Sequence, residues 1–182
     1  MPLLYLVRHG EPASGWGGTN PDPGLSRLGL AQAGHAAARL AALRIGAAIT
    51  SPLTRCRETA AAYEMETAVV ARVSDGVREV PTPEGLADRP AWLAAAMRAR
   101  WSNDAALARF RDRVATTLLA LANDTVVFSH FVAINAAVGV ATGVEDVSVF
   151  KPGHASVTIL ENAGGVLRLV ELGAETPAVD AL

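Results

Sequence analysis

Short apolar runs of strand length recur along this chain, separated by longer stretches with helical periodicity. That alternation constrains the fold more than any other feature, because parallel strands need helical crossovers between them. Residues 3–7 form a continuous apolar run, as expected of a strand buried on both faces. Further strands are predicted within 64–73 (Ala-Val-Val-Ala-Arg) and over 47–50, 125–128, 156–160 and 166–172. Helices are predicted over 27–43 behind Ser26 as N-cap, and after Ser51 with Pro52 at the first position. Three more follow, over 90–101, 105–121 and 131–142. On the first helix Leu28, Ala31, His35, Ala38 and Ala42 form the expected inward stripe, which gives His35 a structural role. Residues 9–24 are rich in Gly and Pro and read as loop, as does 74–89. Asn162-Ala163-Gly164-Gly165 reads as a hairpin connection between the last two strands. The expected fold is an α/β three-layer sandwich whose mostly parallel sheet carries an antiparallel edge strand.

With 182 residues and no linker or repeat, the chain reads as one domain. A net charge of -2 gives no reason to expect a nucleic-acid or membrane-surface partner. The single cysteine, Cys56, excludes an internal disulfide framework and reads as a small buried hydrophobe. The first apolar run is too short for a signal sequence or a membrane span, so a soluble, cytoplasmic protein is expected. No His or Cys spacing suits a metal, and neither metal nor cofactor is expected. The basic side chains are arginines apart from Lys151. The planar guanidinium fork suits oxyanions, so individual arginines deserve following.

Ligands of open α/β sheets bind beyond the carboxyl ends of the strands. Arg8 and His9 follow the first strand, and Ser51 and a helix carrying Arg55 follow the second. Ser129 and His130 follow the strand over 125–128. Two arginines and two histidines on one sheet edge form a cationic pocket suited to phosphate, with helix N-termini adding N–H donors. A neutral imidazole is a nucleophile toward phosphorus, and a second His, protonated, could bind the equatorial oxygens. The departing alkoxide then needs a carboxylic acid within reach.

Arg8-His9-Gly10, in Leu-Val-Arg-His-Gly-Glu-Pro, resembles the signature of the histidine phosphatase superfamily, which includes the cofactor-dependent phosphoglycerate mutases. The resemblance continues through residues 25–33 (LSRLGLAQA), 51–60 (SPLTRCRETA) and 126–135 (VVFSHFVAIN), in the family's order. It implies a phosphoglycerate mutase-like fold, His9 as the phosphoryl-accepting nucleophile, and Arg8, Arg55 and His130 as phosphate holders. It places Glu79 at the proton donor's position, with Glu84 as the alternative. The implied activity is that of a histidine acid phosphatase-type phosphomonoesterase acting on a small phosphorylated substrate. Phosphoglycerate mutase-type transfer and phosphoester binding without turnover are the alternatives. Mutases carry a larger insertion over the site, whereas here only a small cap at about 84–103 is available.

The chain departs from the family pattern at Pro12, at Gly15-Trp16, and at Phe131, where Gly commonly follows the second His. Phe131 either narrows the pocket or faces the core. Trp16, Trp92, Met97 and Trp101 are candidates for an apolar lid or for core packing. His154 either lines the pocket or is structural. Glu58, three residues after Arg55, is a candidate brace for it, and Arg57 points elsewhere.

Overall fold

The computed structural model describes residues 1–15 and 20–176. A six-stranded sheet in the order β3-β2-β4-β1-β5-β6 carries helices on both faces. The strands are β1 (Leu3–Arg8), β2 (Ala48–Thr50), β3 (Arg72–Val73), β4 (Thr125–Ser129), β5 (Val157–Asn162) and β6 (Leu167–Glu171). β1, β2, β3 and β4 run parallel, and β5 pairs antiparallel to β1 and to β6, so the hairpin supplies the antiparallel edge. The helices are α1 (Arg27–Ala41), α2 (Thr54–Thr67), α3 (Arg89–Ala96), α4 (Ala105–Leu119) and α5 (Phe131–Thr142). One core cluster joins α4 and α5 to one face of the sheet, and a second joins α1 and α2 to the other. The three-layer α/β sandwich is thus the fold. Among the described residues no helix is long and apolar enough to cross a membrane.

Several local expectations need correction. The inward stripe of α1 is Gly29, Ala33, Ala36, Ala37 and Leu40, with Ser26 as N-cap. Leu28, Ala31, His35, Ala38 and Ala42 face solvent, so His35 has no place in the core. The inward face begins at Gly29 because the chain passes too close there for a side chain. A Cβ at Gly10 would meet the Gly29 carbonyl oxygen at 2.5 Å, and one at Gly29 would run into that of Glu11. Helix α2 begins at Thr54 without a Ser51 cap, its N-cap position being Leu53. It runs through Thr67 into Ala68 at φ 58, leaving β3 only two residues. A 3-10 turn over Asp75–Val77 interrupts the predicted 74–89 loop.

Candidate active site

The sheet edge gathers the residues that precede and follow the strands. The His9 amide donates to the Ser129 carbonyl (3.0 Å), and the Ser51 amide to that of Phe128 (3.0 Å). These bonds zip the ends of β1, β2 and β4 together, so that His9, Ser51, Arg55 and His130 meet although far apart in sequence. A cleft of about 960 Å³ opens there, with Arg8, His9, Arg55, Glu79 and His154 on its wall.

His9 is only 6% exposed. Its Nδ1 lies 2.8 Å from the Gly10 carbonyl oxygen. A carbonyl only accepts, so Nδ1 carries the hydrogen and Nε2 keeps its lone pair. Consistently, Arg55 Nε donates to His9 Nε2 at 3.2 Å. Burial, then the charges of Arg55 and Arg8, hold the His9 pKa well below the ordinary imidazole value, so the ring stays neutral. His130 lies deeper, 0% exposed, its ring 5.3 Å from that of His9 at an interplanar angle of 62°. Its Nε2 is 2.7 Å from Ser51 Oγ and 3.3 Å from Cys56 Sγ. Burial, then the neighbouring His9, depress its pKa strongly, so the ring is neutral and not the protonated imidazole expected of the second histidine. The Cys56 thiol donates to the Ser129 carbonyl at 3.2 Å, and burial raises its pKa. His154 lines the cleft 5.9 Å from the His9 ring, and burial followed by Arg8 lowers its pKa to about 4.

Arg8 Nη1 donates to the Pro152 carbonyl at 2.8 Å, and its guanidinium carbon stands 5.3 Å from the Phe131 ring centroid. Phe131 thus packs against the core while supporting Arg8. Burial lowers the Arg8 pKa to about 10, still cationic at neutral pH. Glu79 is 4% exposed. Its Oε1 accepts from the Val80 amide (3.0 Å) and its Oε2 from the Val132 amide in the first turn of α5 (3.3 Å). Burial nevertheless dominates and raises its pKa. Ser129 Oγ donates to the Val77 carbonyl at 2.8 Å, tying the segment that carries Glu79 to the end of β4. Glu84 is exposed and off the cleft wall.

Asp22 escaped the sequence reading. Its Oδ1 accepts from the Thr54 amide (2.9 Å), its Oδ2 from Thr54 Oγ1 (2.8 Å), and Arg55 Nη1 is 3.7 Å away. It supplies the cap expected of Ser51, whose hydroxyl is engaged with His130. The Pro/Gly-rich context masked it, since an acceptor so far upstream leaves no local capping pattern. Glu58 does not brace Arg55; its Oε2 accepts from the Leu25 amide at 2.6 Å. Arg57 is exposed, as expected. Trp101 is 0% exposed and stacked on Phe110, and Trp92 and Met97 pack against the same core cluster, so none of the three lines the cleft. Trp16 lies outside the described residues. Among those residues no group of His, Cys, Asp and Glu is placed to hold a metal ion.

A search of curated proteins finds no match. Among solved structures, mycobacterial glucosyl-3-phosphoglycerate phosphatase in complex with VO3 is 27% identical with a TM-score of 0.71, covering 96% of this chain and 100% of that one. The product of the Mycobacterium tuberculosis open reading frame Rv3214 is 26% identical with a TM-score of 0.69, covering 96% and 98%. A phosphoserine phosphatase mutant from Entamoeba histolytica, 19% identical, shares the fold at a TM-score of 0.75, covering 96% and 98%. A model of the histidine phosphatase superfamily, branch 1, matches residues 4–175, a span that contains all of the sheet but Leu3 and every side chain placed on the cleft edge, and the chain belongs to that superfamily.

Proposed function

We propose that this chain is a phosphatase that hydrolyses a small phosphomonoester through a phosphohistidine on His9, an enzyme of the histidine acid phosphatase type. The observation that carries the reading is the fixed tautomer of His9: its Nδ1 bond to the Gly10 carbonyl leaves an unprotonated Nε2 beside the guanidinium of Arg55. Family membership and the likeness to phosphatases at 27% identity support it.

The substrate's phosphoryl oxygens seat against Arg8 and Arg55, while His130, buried against the His9 ring and off the cleft wall, must turn from Ser51 Oγ to reach them. Arg55 gives up its bond to Nε2 and turns its donors to the phosphate. The Nε2 lone pair forms the N–P bond as the bond from phosphorus to the alcohol oxygen breaks. The electron pair leaves on that oxygen, which takes the proton of the Glu79 carboxyl. A raised pKa keeps that proton available. Water then attacks phosphorus, Glu79 as carboxylate accepts its proton, and the N–P bond breaks to return neutral His9 and inorganic phosphate. Arginine and histidine stabilise the charge on the equatorial oxygens during both steps.

A panel of phosphomonoesters assayed for phosphate release, with wild type and His9→Ala side by side, tests the reading. Wild type is expected to release phosphate from p-nitrophenyl phosphate and His9→Ala to be inactive. Equal turnover by both proteins would overturn the mechanism. Phosphoryl transfer to an added alcohol without phosphate release would favour mutase-type chemistry.

A further inference from the structure

We infer that the cleft contains a second anion subsite, formed by Arg78, Arg113 and Thr82, and that the preferred phosphomonoester carries a carboxylate or a second phosphate on its alcohol portion. The inference rests on the phosphatase reading, because it uses the direction in which the alcohol leaves. A proton donor must touch the leaving oxygen, so the wall around Glu79 faces the alcohol and not the phosphoryl group. That wall is residues 78–82, all of which line the cleft. Arg78 precedes the donor, Val80 and Pro81 give a short apolar stretch, and Thr82 follows.

Arg113 reaches the same cleft from the middle of α4, far from residues 78–82 in sequence. Its guanidinium carbon lies 5.4 Å from the Phe110 ring centroid. An aromatic face holds a guanidinium without neutralising it. Among the described residues Arg113 has no ion-pair partner. Arg78 has one, Asp75 at 3.9 Å, with the two side chains 52% and 82% exposed. A contact that long and that exposed holds little of the arginine's charge. The Thr82 hydroxyl is buried and has no hydrogen-bond partner among the described residues, which leaves a donor for a ligand oxygen. Of the other acids on the cleft wall, Glu11 already accepts from Ser26 Oγ at 2.6 Å. A cleft of about 960 Å³ leaves most of its space to the alcohol portion. Two guanidiniums and an unpartnered hydroxyl on that side fit an oxyanion with several acceptor atoms.

The test measures kcat/KM within two substrate pairs. Phosphoserine against phosphoethanolamine differs by a carboxylate, and propanediol bisphosphate against propanediol monophosphate by a phosphate. Wild type is expected to prefer the more anionic member of at least one pair by about tenfold or more, and the pair identifies the anion. The double substitution Arg78→Gln, Arg113→Gln is expected to reduce that ratio by about tenfold, and Arg109→Gln, on α4 but off the cleft wall, to change it by less than about twofold. A ratio near one in wild type for both pairs, or a ratio unaltered by the double substitution, overturns the subsite. An equal loss with Arg109→Gln also overturns it, since bulk charge then explains the preference. If wild type hydrolyses neither these esters nor p-nitrophenyl phosphate, the phosphatase reading fails by itself. Calorimetric binding of the same pairs then decides the subsite: a preference that disappears in the double variant upholds it, and equal binding refutes it.

Discussion

Replacing Phe131 with Leu isolates what holds Arg8 in place. The Arg8 guanidinium has two neutral supports, the Pro152 carbonyl at 2.8 Å and the Phe131 ring at 5.3 Å. Its Nε is buried without a hydrogen-bond partner among the described residues. A neutral support matters because a carboxylate clamp would spend the charge that phosphate is to meet. The ring lies within the roughly 6 Å range of cation–π attraction, and at a largely desolvated site the contact is worth about 1–2 kcal/mol. Losing it should weaken phosphate affinity by about 5- to 30-fold. Leu retains most of the apolar contact that Phe131 makes with the core, so the loss of stability should stay near 1 kcal/mol. The assay is competitive inhibition of p-nitrophenyl phosphate hydrolysis by inorganic phosphate, with the melting temperature measured alongside. Phe131→Trp, which presents a stronger π face, should restore the inhibition constant. The reasoning is refuted if Phe131→Leu leaves that constant unchanged, or if Leu and Trp weaken it alike.

Three further outcomes follow from the same geometry. Glu79→Gln should lower kcat for alkyl phosphates by about 10²–10⁴-fold and for p-nitrophenyl phosphate much less, because a good leaving group needs little protonation. It should also remove the alkaline limb of the pH profile, which in wild type is the loss of the Glu79 proton as pH rises through its raised pKa. Asp22→Ala should cost about 1–2 kcal/mol in chemical denaturation by removing the cap on α2, with Asp22→Asn losing less because the amide oxygen still accepts from Thr54. The depressed pKa values of His9, His130 and His154 mean that the unfolded chain binds protons that the folded chain refuses. Their stabilising contribution is therefore complete above the ordinary histidine value of 6.5 and declines below it, for His154 until about pH 4. Thermal unfolding between pH 8 and pH 5 should show that decline, and His154→Phe should make it shallower.

Local chemistry made some elements legible and distance hid others. Helix α5 spans Phe131–Thr142 as the sequence indicated, because a β4 strand precedes it and Gly143 at φ 72 ends it. The ends of β1, β2 and β4 were enough to bring Arg8, His9, Arg55 and His130 to one edge, since parallel strands place their carboxyl ends together. Helix α2 was misjudged at its start, and the strand after it was expected too early. At its start Ser51 and Pro52 have the right local pattern, but the Ser51 hydroxyl is engaged with His130 and Asp22 caps from a distant loop. At its end an alanine takes the left-handed conformation that ordinarily announces itself through Gly. Glu79 could be placed only through the resemblance, because its cleft position depends on Ser129 gripping the Val77 carbonyl and on the first turn of α5. Of the two readings of Phe131 the structure meets the core one: the ring packs on the core and off the cleft wall, and its contact with Arg8 had no local signal.

The central claim is that His9 Nε2 becomes covalently bonded to phosphorus. Rapid acid-free quenching of a single turnover, followed by phosphorus NMR and peptide mass spectrometry, measures this directly. The account predicts an acid-labile, base-stable phosphoramidate on the His9 peptide of wild type, absent from His9→Ala and longer-lived in Glu79→Gln. Full turnover with no phosphoenzyme at any time, or a phosphoryl group on another side chain, would contradict it.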